Sequence, residues 1–395
     1  MTNETPAFVE RDPDVIMSEC KAQLEEILGR ELQPAQLEQL MLQFIVYREV
    51  LLLNRFNAAM SQMLYQFSKA PVLDYIAGLV AVERLPPASA GCTVRFTLVP
   101  GHGNVLLPEG TRVATSDSEV IFSVTDDYLI SPTINTIDVE VLAEISGKSG
   151  NGYEPGAVNK ILDPLAFVST VENLNVTGGG SDEETDEQLR ERIKLAPSQF
   201  STSGSRQSYI FHAKGANAAI TDISVFSYKP DNPHVLPIGR LVATSDGIFI
   251  TNKEITILPG MICIVPLAES EHYERIIGEI YNTCSPEKVR PLSDTVIVSA
   301  PEKKEYDIEV NLILLENADA TDVQNQVISA LNEYAKEHRK KLGRDIVRSH
   351  IAKICRIESV YDVEVVSPGN NIIVADGEFA NCAQITVNMN GFNHG

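Results

Sequence analysis

Gly178-Gly-Gly-Ser-Asp-Glu-Glu-Thr-Asp-Glu-Gln-Leu-Arg-Glu-Arg-Ile193 divides the chain. Before it, from Pro86-Pro87 to about Val176, β-rich runs alternate with turn residues; after it, helical and strand patterns alternate. The stretch itself predicts a helix start. Ser181 and Glu184 have the spacing of a capping box, in which each side chain satisfies an orphan backbone donor at the other residue. Asp182, Glu183 and Glu184 crowd the positive helix start, while Arg190, Arg192 and Lys194 lie towards its end, matching the helix dipole. Pro197 ends or kinks the helix. The three glycines could open an anion site. Six carboxylates between Asp182 and Glu191 would repel a phosphate, so the glycines are taken as a flexible hinge between domains.

Upstream, Thr93-Val-Arg-Phe-Thr-Leu-Val99 and Glu119-Val-Ile-Phe-Ser-Val124 are strand patterns, and Leu107-Pro-Glu-Gly-Thr111 and Ser146-Gly-Lys-Ser-Gly-Asn-Gly152 are turns between strands. Further upstream lie two helices. Asp12 is the expected N-cap of the first, with Pro13 at its first position, Ile16, Cys20, Leu24, Ile27 and Leu28 on one face and Gly29 helping to end it. The second is expected from about Gln36 to Ser68, a length of about 50 Å at 1.5 Å per residue. Leu37, Leu40, Phe44, Tyr47 and Leu51 recur on it at three- and four-residue steps; after a one-residue slip Leu52, Phe56, Met60, Met63 and Phe67 resume the rhythm. Met41, Ile45 and Leu53 widen the apolar surface beyond one seam, so part of it is expected to meet another chain. The candidate interface residues are Leu40, Phe44, Tyr47, Leu51, Phe56, Met60 and Met63.

Downstream, Ser205 to about Asn217 predicts a helix, Ile223–Tyr228 a strand, 230–270 further β or loop structure, and Glu271–Thr283 another helix. Thr295–Ser299 and Tyr306–Leu315 are strands, Thr321 to about Lys341 is an amphipathic helix carrying Val323, Val327, Leu331 and Tyr334, and Ile346–Cys355 is a shorter one. Strands Val360–Val366 and Ile385–Met389 complete a small α+β domain. The expected architecture is multidomain α+β: N-terminal long helices (1–85), a β-rich domain (86–177), a central α+β domain (178–299) and a C-terminal small α+β domain (300–395).

Composition removes several function classes. In 395 residues, 44% are hydrophobic and 22% charged, as in ordinary globular proteins. The net charge of −22 argues against coating duplex nucleic acid, which needs clustered Lys and Arg. The longest apolar stretch, Ile76–Val82, falls far short of the roughly 20 residues of a membrane helix, so no membrane insertion is expected. The opening Met1-Thr-Asn-Glu-Thr-Pro6 has no secretory signal pattern. Six scattered cysteines without a CxxC pair fit reduced cytosolic thiols.

Candidate chemistry is sparse. Gly147-Lys148-Ser149 ends like a phosphate-binding loop, but Leu142 occupies the position of the required first glycine, and the stretch is better read as a turn. Seven histidines show neither HExxH nor HxH spacing, no GxSxG elbow occurs, and abundant carboxylates carry no information in so acidic a chain. Catalytic, cofactor-binding and metal residues are therefore each assigned as none. One charge feature stands apart. Lys336, Arg339, Lys340, Lys341, Arg344, Arg348, Lys353 and Arg356 face only Glu337 and Asp345 within 336–356, leaving +6 there and −28 elsewhere. A solvated helix face and a patch docking on an acidic surface are both consistent with it, with Arg339, Lys340, Lys341, Arg344 and Arg348 at its centre. Nucleic acid ranks below both, for want of interleaved aromatic residues.

The order of motifs resembles the baseplate J-like family, the baseplate wedge proteins of contractile-tailed phages and phage-derived contractile injection systems. The resemblance rests on Val72-Leu-Asp-Tyr-Ile-Ala-Gly-Leu79 through Glu83-Arg84 to Ala88-Ser-Ala-Gly91 and Leu107-Pro-Glu-Gly-Thr111, then on the stretch 178–193. It continues through Ser203-Gly-Ser-Arg-Gln-Ser-Tyr209 with Ile220-Thr-Asp-Ile-Ser-Val225, and Val289-Arg-Pro-Leu-Ser-Asp-Thr-Val296 to Ala300-Pro301 with Val360-Tyr-Asp-Val-Glu-Val365. Pro230–Pro237 departs from the family pattern. The resemblance implies a structural, non-enzymatic subunit without cofactors. It would be present as two copies per wedge, its N-terminal helices bundled with another wedge subunit and its C-terminal domains pairing copies into a ring or iris. The implied partners are a second copy of itself, another wedge subunit, and the central hub or spike and sheath proteins. The ring would relay the trigger for sheath contraction, with assembly in the bacterial cytoplasm into a virion baseplate or injection particle. Rival expectations are a tail-associated cell-envelope hydrolase, which needs a clustered acid or histidine site, and a β-rich host-binding tail protein, which predicts repeats.

Overall fold

The computed structural model describes residues 6–9, 12–34, 36–200, 204–268, 273–316 and 319–393. The Met1–Thr5 run, Ser203, the helix start at Glu271 and His394 lie outside them. The architecture is mixed α+β and multidomain, in two compact units. One unit joins Met1–Arg84 to Thr185–Ala196, the other Leu85–Glu184 to Pro197–Gly395.

The first unit is helical: α1 (Pro13–Leu28), α2 (Leu37–Ser61), α3 (Val72–Leu79) and α4 (Asp186–Leu195). The Asp12 carboxylate caps α1 by accepting from the Asp14 amide, and Gly29 ends it in the left-handed region at φ 64°. Ile16 packs with Leu32, Leu42 and Val46, flanked by Met17, Cys20, Leu24, Val50 and Leu53. The predicted α1 face holds at Ile16, Cys20 and Leu24 and runs out at Ile27, which is 79% exposed.

Two expectations are corrected here. The long helix stops at Ser61, short of Ser68, because Gln62 ties the following chain into turns: its Nε2 donates to the Phe67 carbonyl (3.2 Å) and its Oε1 accepts from the Lys69 amide (2.9 Å). The capping box on α4 is made by Thr185 and Gln188; Ser181 and Glu184 do not form it. Ser181 sits in an extended bridge to Ala88, and Glu184 is buried where its carboxylate accepts from the Leu85 amide (3.0 Å).

The second unit begins with an antiparallel barrel-like sheet of β1 (Gly91–Leu98), β3 (Arg112–Thr115), β4 (Ile121–Val124), β6 (Thr136–Ala143), β7 (Val158–Ile161) and β8 (Val168–Asn173). A small ribbon of β2 (Val105–Leu107) and β5 (Tyr128–Ile130) accompanies it. Strand order is β7-β3-β4-β6-β1-β8. Period-two alternation in β1 puts Cys92, Val94, Phe96 and Leu98 inside, against Phe122, Val139 and Val141. The end strands β7 and β8 meet through Asn173. Its carbonyl accepts from Gly156, its Oδ1 from the Val158 amide (2.8 Å), and its Nδ2 donates to the Glu154 and Asn175 carbonyls.

The glycine stretch after the barrel is a tightly packed strap. Gly178 exchanges two backbone hydrogen bonds with Gly91, and Asn151 holds Gly180 on both its amide and its carbonyl. A Cβ on Gly180 would lie 2.4 Å from the Gly147 carbonyl oxygen. Glycine is required there by close approach, and the flexible hinge expected from composition is a fixed seam.

The rest of the unit holds α5 (Arg206–Lys214) and α6 (Tyr273–Cys284) on one face of a five-stranded sheet. Its strands are β9 (Ile220–Ser227), β11 (Leu241–Thr244), β12 (Gly247–Ile250), β14 (Met261–Ala268) and β15 (Thr295–Ser299), in the order β12-β11-β15-β14-β9. β14 and β15 are parallel, as a crossover through α6 requires. The short pair β10 (Val235–Leu236) and β13 (Ile255–Thr256) covers Phe226, Val242 and Cys263 on the other face. Then β16 (Glu302–Leu315), β17 (Val360–Ser367) and β18 (Glu378–Asn393), in the order β17-β16-β18, pack against α7 (Ala320–Arg339) and α8 (Arg348–Cys355). Tyr306, Ile308, Val310, Leu312 and Leu314 alternate inward along β16 onto Val323, Val327, Leu331 and Ile351.

Three edge strands carry a side chain on their backbone. Arg206 of α5 donates to the Val225 carbonyl of β9, Arg348 of α8 to the Val365 carbonyl of β17, and Gln324 of α7 to the Val387 carbonyl of β18.

Candidate interaction surfaces

α2 is apolar on more sides than its own unit covers. Leu42, Val46, Asn57 and Ser61 form its buried stripe. Of the residues picked from periodicity, Leu40 (56% exposed), Phe44 (64%), Tyr47, Phe56 and Met63 are exposed, and Leu51 and Met60 half-buried. Leu40, Phe44 and Tyr47 therefore mark the helix side opposite the buried stripe, whereas Phe56 and Met60 lie on other sides of the helix and Met63 lies past its end at Ser61. Asn57, absent from the sequence reading, anchors the inner face: its Oδ1 accepts from the Phe8 and Val9 amides (2.9 and 3.0 Å), and its Nδ2 donates to the Val9 carbonyl. A lone asparagine in an apolar repeat gives no signal for this.

Two separately quoted motifs converge in the same unit. The Arg84 guanidinium pairs with Asp74 (2.8 Å) and with Asp186 in the first turn of α4 (2.7 Å). Arg190 donates to the Ser68 carbonyl (2.7 Å) and Arg192 to that of Glu83 (3.0 Å). Burial by itself would raise the Asp186 carboxyl, but Arg84, the Ala70 amide and the nearby Arg190 outweigh it and hold the group below the usual carboxylate range. The acidic run is thus partly structural: Asp186 serves α4, Glu184 the Leu85 amide, and Asp182 accepts from the Lys148 amide (3.2 Å).

That last contact disposes of the phosphate-loop resemblance, because a carboxylate of the chain itself occupies the Lys148 amide and lies 3.7 Å from its Nζ. The histidines are dispersed. His234 stacks on Phe226 and His338 lies tilted against Tyr334, each with centroids 3.9 Å apart, and His102 lies between the Gly103 and Ile134 carbonyls. Among the described residues, no group of three or more His, Cys, Asp or Glu gathers as metal ligands, and no helix is long and apolar enough to cross a membrane.

The basic segment spans the end of α7, the next turn and α8. Arg339, Lys340, Lys341 and Arg344 are exposed; Lys340 pairs with Glu337 (3.1 Å), and Lys341 lies 4.0 Å from Asp222. Arg348 differs. It is half-buried, with its guanidinium on the Val365 and Gly369 carbonyls (2.8 Å to Gly369), so it serves the edge of β17.

Comparison with known proteins adds to this geometry. Residues 93–180 match the baseplate J-like protein barrel domain, and residues 306–388 the baseplate J-like protein C-terminal domain. Baseplate protein J of Escherichia phage P2 is 26% identical over 209 residues, 53% of this chain and 60% of that protein. The putative baseplate protein gp29 of Haemophilus phage HP1 (strain HP1c1) is 29% identical over 167 residues, 41% of this chain and 42% of that protein. The chain thus spans about half the length of the curated relatives it matches. A cryo-EM structure of the anti-feeding prophage (AFP) baseplate, 6-fold symmetrised, aligns over 93% of this chain and 92% of its own at 12% identity and a TM-score of 0.36.

Proposed function

Because the chain belongs to the baseplate J-like family, we propose that it is a structural protein of a phage or contractile-system baseplate, working as a wedge subunit. In this reading it forms the ring around the central hub and relays the trigger to sheath contraction through protein–protein interfaces, without catalysing a reaction. Its partners are a second copy of itself, a wedge subunit held by the N-terminal helices, and the hub and sheath proteins. It assembles in the bacterial cytoplasm and ends in the baseplate of the particle. The exposed α2 face carries the reading. Burying a large apolar side chain is worth about 1.5–3 kcal/mol. Leu40, Phe44 and Tyr47, on one side of α2, together therefore reach the order of the about 4–15 kcal/mol that association costs in lost freedom. The exposed cations Arg339, Lys340, Lys341 and Arg344 are read as a second docking corner, which steers encounter and register more than affinity.

Cryo-electron microscopy of the assembled particle tests the placement; a baseplate ring without this chain overturns it. For the helix face, Leu40→Glu with Phe44→Glu should leave the isolated chain within about 0.5 kcal/mol of its original stability, because both sites are exposed. The same pair should weaken co-purification with the other baseplate subunits at least about tenfold, equivalent to 1.4 kcal/mol. Unchanged co-purification would remove this face as the partner surface.

A further inference from the structure

Several sheet edges in the second unit carry a side chain on their backbone or are joined to another strand. Asn173 joins the ends of the barrel-like sheet, and Arg206, Arg348 and Gln324 occupy carbonyls of β9, β17 and β18. β12 is the remaining edge of the five-stranded sheet, and no side chain is placed on its backbone among the described residues. Its register fixes which groups face outward. The Leu241 carbonyl of β11 accepts from Ala300 on the β15 side, and Thr251 donates to Arg240 on the β12 side (2.8 Å). Pairs alternate along an antiparallel ladder, so Val242↔Phe249 exchange hydrogen bonds, whereas Ala243↔Ile248 and Leu241↔Ile250 do not. The N–H and C=O of Ile248 and Ile250 therefore point away from β11, to the open edge. Their side chains and that of Phe249 are exposed, at 41%, 65% and 38%. This leaves the edge apolar on both faces of the sheet, where strands exposed on one face normally alternate with polar residues.

From this geometry we propose that β12 is a docking strand for β12 of a second copy of this chain, paired antiparallel about a two-fold axis centred on Phe249. The proposal rests on the reading of the chain as a subunit present in more than one copy. A partner strand must itself be apolar on both faces to cover this edge, and Ile248-Phe-Ile250 is such a strand. A two-fold axis perpendicular to the sheet keeps each residue on its own face, so opposed residues must share parity. Centring on Phe249 satisfies this. Ile248 then faces Ile250 of the other copy twice, and the outward groups of the two residues close four backbone hydrogen bonds. Phe249 faces its own mate as a non-hydrogen-bonded pair, with Cα atoms about 4.5 Å apart.

That distance falls inside the range of about 4.4–6.8 Å that a disulfide spans, so the register can be trapped. In the full chain carrying Cys20→Ser and Cys382→Ser, which removes the two half-exposed thiols, Phe249→Cys should give a covalent dimer on mild oxidation. Asn252→Cys, beyond the strand, should not. Ile250→Pro deletes an outward N–H that β11 does not use, so it should abolish concentration-dependent dimerisation in sedimentation velocity while leaving circular dichroism and thermal unfolding unchanged. A chain that stays monomeric across the concentration series overturns the pairing. So does a dimer that survives Ile250→Pro, or one that Phe249→Cys cannot cross-link. A chain found in the baseplate ring despite these results overturns the pairing alone, whereas a chain absent from the particle overturns the reading beneath it even where the dimer forms.

Discussion

Arg84 makes one of the most consequential single contacts in the helical unit, because one guanidinium holds two carboxylates, Asp74 and Asp186, drawn from stretches that are 102 residues apart in the case of Asp186. Arg84→Ala should lower the stability of that unit by about 1.5–3 kcal/mol, the usual worth of hydrogen bonds to charged groups, read as a shift of the urea midpoint at 222 nm. The contact also sets a pH dependence. The folded-state value of Asp186 is lowered, so its contribution is complete above the ordinary Asp value near 4 and is lost as pH falls through the lower folded value. Asp186→Asn should flatten the stability curve in that acid window and leave its shape near neutrality unchanged; an unchanged acid limb would count against the assignment. Both motifs were visible in the sequence as Glu83-Arg84 and Ser181–Ile193, yet nothing in either predicts their meeting. Asn57 and Asn173 were silent for the same reason: a lone amide has no pattern until the backbone it serves is folded around it.

At the scale of elements, periodicity placed most helices and strands well, since burial enforces it locally. Thr295–Ser299 agrees residue for residue with the expected strand, and α7 begins one residue before its expected start. Boundaries set by side-chain hydrogen bonds were missed, as at Gln62 and Thr185, because several neighbouring residues have the right chemistry and only packing chooses among them. The glycine strap teaches the same lesson. Composition describes freedom, while the structure uses the missing Cβ to let two backbones touch. Gly180→Ala should therefore destabilise the barrel by about 2 kcal/mol or more, because the atom in the way is a backbone oxygen that cannot swing aside. Gly103→Ala, with nothing within 4 Å of the new carbon, should be neutral within about 0.5 kcal/mol. Equal effects in thermal unfolding would mean that the strap yields.

The whole molecule carries its own reporters. Cys92 lies in the barrel, Cys263 and Cys284 in the central sheet layers and Cys355 beneath the C-terminal sheet, each buried, with its thiol pushed up to about 12 by desolvation. Native labelling with a thiol reagent at pH 8 should reach Cys20 and Cys382 promptly and the other four only as their domains open; three or more prompt thiols would contradict this packing. In mild urea the order of labelling then ranks the domains by stability. The mixed α+β, multidomain class was legible because its segments differ in hydrophobic period and turn vocabulary, and the basic segment was legible as charge. Arg348 was grouped with that charge, but the fold spends it on a carbonyl. The side chains seated on β9, β17 and β18 have a further consequence at high local concentration. Sheets that can stack edge to edge without limit grow into fibrils. Here a side chain takes a carbonyl on each of three edge strands, and a β12 pair uses up the β12 edge of both chains, so growth through that strand terminates at two chains.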